Sequence, residues 1–162
     1  MQIKPTKALT VYQPWASLVA QKLKKNETRN WRTKYRGPLA IHAAIGMPKE
    51  AKTFCPEVAK ILGVSPYNGS HWYYLEQHSD VIGGFGQILA TCNLIDCVQV
   101  VDEEPGVYAL LENGKYVDGS ELLFGDYTPG RYVWILDNIK KLPKPIAVKG
   151  KQGLWNWHID FA

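Results

Sequence analysis

The chain has no apolar run long enough to cross a bilayer, no paired-cysteine motif and no regular alternation of strand and helix signals. The first absence excludes a membrane-spanning helix and sets the expectation of no membrane partner. The N-terminal "MQIKPTKALT" lacks the apolar core of a secretion signal, so a cytoplasmic protein is expected. Cys55, Cys92 and Cys97 form no CxxC pair and stand at no ligand spacing from His71, His78 or His158. No metal is expected, and the cysteines read as free, mostly buried thiols. The turn Gly150-Lys151-Gln152-Gly153 lacks the Walker pattern, and no cofactor is expected. Internal repeats and low-complexity linkers are missing too, so 162 residues form one domain over 1–162.

What is present is an ordinary globular composition, 46% hydrophobic and 21% charged, with a net charge of +4 that permits a polyanionic partner. The charge is unevenly spread. Between Lys22 and Arg36 runs the densest stretch of Lys and Arg, against the single acid Glu27, with Trp31 and Tyr35 interleaved. Before it, Ala8–Tyr12 reads as a short strand and Pro14 opens a helix whose apolar stripe is Trp15, Leu18, Val19 and Leu23. "MPKEAKTFCPEVAKILGV" reads as two short helices hinged at Pro56, and "SPYNGSHWYYLEQHSDVIGG" as an aromatic-rich connection with a helical turn or two over Ser70–Gln77. "FGQILATCNLIDCVQVV" is a long strand apolar on both faces. "RYVWILDNIKKL" is another strand, and "PKPIAVKGKQGLWNWHI" gives a short strand, a Gly/Lys loop and a tryptophan-rich end. This order suits an α+β fold with a curled sheet or barrel better than a doubly wound sheet.

Within "GPLAIHAAIG", alternation puts Leu39, Ile41 and Ala43 on one face of a strand and Ala40, His42 and Ala44 on the other. The simpler reading of His42 is a core histidine satisfied by a backbone carbonyl; the sharper one is the wall of a small pocket.

"VYQPWASLVAQKLKKNETRNWRTKYRGPLAIHAA" resembles the opening of ASCH domains, members of the PUA-like superfamily. "FGQILATCNLIDC" is similar to their central strand and "YVWILDNIKKLPKPIAVKGKQGLWNW" to their closing strands, so the likeness runs over roughly residues 8 to 157. The resemblance implies a PUA-like curled β-barrel with flanking helices and a cleft bordered by the loop after the first helix. It also implies that this cleft takes RNA or a nucleotide through one flipped, often modified base. The family's Gly-x-Lys-x-x-Glu-x-Arg pattern falls on Lys22, Lys24, Glu27 and Arg29, with Lys22 in place of the glycine, where its side chain would narrow or recharge the cleft mouth.

Such a cleft needs cations for phosphate, a flat face for stacking and a polar pair for the base edge. Lys24, Arg29, Lys149 and Lys151 are the candidate cations, and Trp31, Tyr35 and Trp155 the stacking faces. Glu27 is the acceptor, with Gln13 or His42 as donor, and Ala40, Ala44 and Gly153 are small walls. Against this, Lys24 and Glu27, three apart at a helix end, make a plain surface ion pair, Glu27 also suits pairing with Arg29, and Trp155 suits capping the core with Trp157. The alternative is an enzyme on the same cleft, a hydrolase of a modified pyrimidine nucleoside or a ribonuclease. Some small ASCH proteins are amidohydrolases of 4-acetylcytidine with a Thr nucleophile, whose position here holds Glu27. The route left is water activated by Glu27, with Lys24 stabilising the oxyanion. A third reading is a protein-interaction module whose basic loop meets an acidic partner.

Overall fold

The computed structural model describes residues 7–48, 56–63 and 79–158. The stretch Ser70–Gln77, the half of the hinged helix pair before Pro56, and Cys55, His71 and His78 lie outside them. Eight strands form one mixed sheet: β1 (Lys7–Val11), β2 (Asn26–Arg29), β3 (Gly37–Ala43), β4 (Gln87–Glu104), β5 (Tyr108–Leu111), β6 (Tyr116–Val117), β7 (Tyr132–Ala147) and β8 (Leu154–Asn156). The order is β2-β7-β4-β3-β1-β8, with β5 and β6 continuing from the far half of β4. Among the described residues only β1 and β3 pair in parallel, their crossover carrying α1 (Trp15–Ala20); α2 (Pro56–Leu62), α3 (Ser79–Ile82) and a 3-10 helix (Gly119–Phe124) lie outside the sheet. None of the described helices is long and apolar enough to cross a membrane.

Alternation along β1 and β3 feeds two cores. Leu9, Val11, Leu39, Ile41 and Ala43 pack with Ala16, Val19 and Ala20 of α1 and with Trp134 of β7. Ala8 and Ala40, on the opposite face, pack with Ile88, Trp155 and Trp157. The far half of β4 has its own cluster, in which Val98 and Val100 meet Leu111, Val117 and Val133. This arrangement explains why the central strand is apolar on both faces.

The sheet curls but does not close, so the expected barrel is corrected to an open sheet. Three register shifts between β4 and β7 bend it. Closure would require hydrogen bonding between the end strands, and these are only four and three residues long. A side chain spans the gap instead: Arg29 Nη2 of β2 donates to Thr10 O of β1 at 2.7 Å. The two strands expected after Tyr132 are one, β7, which runs through Pro143 and Pro145. Proline fits there because β2 pairs only with Tyr132–Ile135, leaving the outer edge of β7 without a partner strand beyond that point among the described residues.

Helix α1 is shorter than its stripe implied. Gln13 starts it, its Oε1 accepting from Ser17 N at 2.9 Å. It ends before Lys22, which takes a left-handed φ of 64°, while the Leu23 and Lys24 amides turn back to Leu18 O. Leu23 is therefore exposed. Within the basic stretch after it, Asn26–Arg29 form strand β2 between irregular segments, so Lys24 and Glu27 do not share a helix end.

Candidate functional site

The open seam holds a cavity of about 460 Å3, lined by Val11 at the end of β1 and Tyr12 just after it, by Trp15 of α1, and by Glu27, Thr28 and Arg29 of β2. The end of the 3-10 helix and the segment after it close it with Phe124, Gly125 and Asp126, and Arg131 completes the wall. Close approach builds the floor. A Cβ on Gly125 would stand 3.0 Å from both Cγ2 and Oγ1 of Thr28, so glycine lets the Asp126 amide reach Thr28 Oγ1, also at 3.0 Å. Arg131 fastens the same corner, donating from Nη2 to Thr28 O at 3.2 Å and from Nε to Asp126 O at 3.2 Å. The Thr128 hydroxyl and amide, with Arg131 nearby, hold the Asp126 carboxyl below its usual range despite some burial.

Glu27 and Arg29 both line this cavity, and they pair with each other, Nε to Oε1 at 3.8 Å. Glu27 is 8% exposed. Its Oε1 accepts from Thr28 N at 3.1 Å, whereas Oε2 is buried without a hydrogen-bond partner, and Arg29 Nε, whose 3.8 Å contact to Oε1 is too long for one, is likewise buried without a hydrogen bond. The wall thus keeps one acceptor and one donor unspent.

The other predicted residues are placed elsewhere. Lys24 is 1% exposed and donates from Nζ to Phe124 O at 2.7 Å. Burial pushes its ammonium down from the usual lysine range, with Glu27 and Glu121 pulling the other way. It stands behind the cavity wall, fastening Phe124, and is not free to meet a phosphate. Gln13 is fully buried, its Nε2 donating to Ser17 Oγ and Gly83 O, both at 2.7 Å. Tyr35 donates its hydroxyl to Pro38 O and lies under the Lys7 ammonium. Trp31 is 37% exposed and meets Trp134 edge to face at 4.7 Å. Lys149 and Lys151 are exposed, and Lys22, also exposed, does not line the cavity.

His42 follows the simpler reading. It is 2% exposed, with Nε2 3.0 Å from Val148 O and Nδ1 3.2 Å from Thr10 Oγ1, and Trp155 packs edge-on against its ring. Loop residues 148–153 sit on top, so closely that a Cβ on Gly150 would fall 2.3 Å from His42 Cε1. Trp155 is a core cap, its Nε1 donating to Thr10 Oγ1 at 2.9 Å. Neither ring lines the cavity, and the alanine-walled hollow is filled.

Tyr12, Trp15, Thr28, Phe124, Asp126 and Arg131 line the cavity and were not predicted. Tyr12 precedes the QPWA turn and Trp15 is its third residue, a signal within reach of sequence reading. Arg131 and Asp126 had none, because about a hundred residues separate them from Thr28.

No curated protein matches the chain. The ASCH domain family model matches residues 9–115, a span that includes the end of β1, all of α1 and β2, and the Lys24, Glu27 and Arg29 pattern. ASCH domains are PUA-like and generally associated with RNA binding. The chain belongs to the ASCH domain family.

Proposed function

We propose that this protein, acting as a single domain, binds single-stranded RNA by taking one unpaired base into the seam cavity. The observation that carries the reading is the make-up of that cavity. It joins an aromatic face, with Tyr12 48% exposed, to an unspent acceptor on Glu27 and an unspent donor on Arg29. Base recognition needs those two elements, a stacking plane and a polar edge reader. The volume falls within the range of about 300–1,000 Å3 common for small-molecule sites. Exposed Trp31, Lys149 and Lys151 are the proposed contacts for neighbouring nucleotides. Hydrolysis is less well supported, because Lys24, its oxyanion stabiliser, ends on Phe124 O.

Fluorescence anisotropy with a labelled single-stranded oligoribonucleotide and its duplex tests this. The duplex should bind at least about tenfold more weakly, and Tyr12→Ala should weaken single-strand binding about fivefold or more, the loss of one base stack. Equal affinity for the duplex, or an unchanged Tyr12→Ala, would overturn it.

A further inference from the structure

We infer that the seam cavity reads an uncharged base edge and turns phosphate away, so that a nucleoside fills it as well as a nucleotide does. This rests on the base-binding reading above and narrows its ligand class. Among the described residues four charged side chains line the cavity, and they are paired within the wall: Glu27 with Arg29 at 3.8 Å and Asp126 with Arg131 at 3.4 Å. Arg29 also spends Nη2 on Thr10 O, and Arg131 spends Nη2 on Thr28 O. Lys24, behind the wall, is committed to Phe124 O. Of the Lys22–Arg36 stretch only Glu27, Thr28 and Arg29 line the cavity, and its described lining residues carry no net charge.

The unspent atoms point to the ligand's chemistry. Glu27 Oε2 needs a donor and Arg29 Nε needs an acceptor. A nucleobase edge offers an N–H beside a ring nitrogen or a carbonyl oxygen and meets both needs. A phosphate offers only acceptors: it would serve Arg29, leave Glu27 Oε2 unpaired, and set an anion beside a carboxylate that is 8% exposed. The phosphates of a bound strand therefore stay outside the cavity.

Calorimetry of the full chain with cytidine, uridine, adenosine, guanosine and their 5′-monophosphates, at low and high salt, tests the division. The nucleoside that binds best should match its monophosphate within about threefold, and a tenfold rise in salt should change its Kd by less than about twofold. Glu27→Gln should weaken nucleoside binding about tenfold, since a charged acceptor is lost. A monophosphate preference above about tenfold, or nucleoside binding unchanged in Glu27→Gln, would overturn the inference while leaving the base-binding reading standing. If none of the eight compounds binds, or none displaces a bound single-stranded oligoribonucleotide, the base-binding reading itself fails.

Discussion

Arg29 reaches across the open seam of the sheet to the carbonyl oxygen of Thr10, 2.7 Å from its Nη2. In a closed barrel that carbonyl's neighbourhood would be filled by a ladder of backbone bonds. Here one guanidinium takes their place, and the space left beside it is the cavity. The same Thr10 carries the closing loop on its other side, its amide donating to Gly153 O at 3.1 Å and its hydroxyl to Lys151 O at 2.5 Å. One residue of β1 thus joins the cavity wall to the loop that bears Lys151.

Lys24 should show itself through pH. Its ammonium is pushed below the usual lysine pKa of 10.5 by burial. Between the lowered value and 10.5 the unfolded chain keeps a proton that the folded chain has released, so this group's contribution to stability rises with pH across the window. Below the window its burial penalty is complete. Lys24→Met removes the titration and leaves Phe124 O without its donor, costing about 1–3 kcal/mol near neutral pH. Urea unfolding of both proteins from neutral pH to 10.5 should show wild type gaining on the variant as pH rises; a constant difference would refute it.

Cys92 should resist alkylation. It is 4% exposed, and burial, aided by Asp137, pushes its thiol up to about 12. At mildly alkaline pH almost none is thiolate, the reactive form. Mass mapping after iodoacetamide should find Cys92 and the similarly buried Cys97 unmodified in the native protein and alkylated in urea. Rapid native labelling of Cys92 would count against this packing.

His42 and Gly150 should be energetically coupled. Gly150→Ala would drive its Cβ into the His42 ring and should cost about 1–3 kcal/mol. His42→Ala should destabilise by a similar amount, because it empties a filled site and strands Val148 O, yet leave RNA affinity within about twofold. The double variant should be more stable than the sum of the two losses predicts. Strict additivity in thermal unfolding would contradict the close contact.

Lys22→Gly should stabilise the protein. Lys22 holds a φ of 64°, where a residue with a Cβ pays about 1 kcal/mol that glycine does not. Glycine's larger entropy loss takes back part of this, so a gain of up to about 1 kcal/mol is expected in chemical denaturation. Its position is the one where the family pattern carries glycine. A loss of stability would mean that the exposed Lys22 side chain makes contacts worth more than its backbone strain.

By itself the sequence determined the family, the long strands and two of the four charged residues found in the cavity wall, Glu27 and Arg29. Periodicity is local, so β1, β3, β4 and most of β7 could be read from their own residues. Glu27 and Arg29 were legible because a short motif fixes their spacing on one strand. The state of each polar side chain was decided by partners far along the chain. Lys24 became a buried strut through a carbonyl 100 residues away, and His42 a sealed core ring through one 106 residues away. Asp126 and Arg131 reached Thr28 from 98 and 103 residues away. Of the cations in a basic run of sequence only Arg29 reached the cavity wall, because a cation's place beside solvent or ligand depends on which carbonyls and carboxylates the fold sets beside it. Those neighbours belong to the tertiary structure alone.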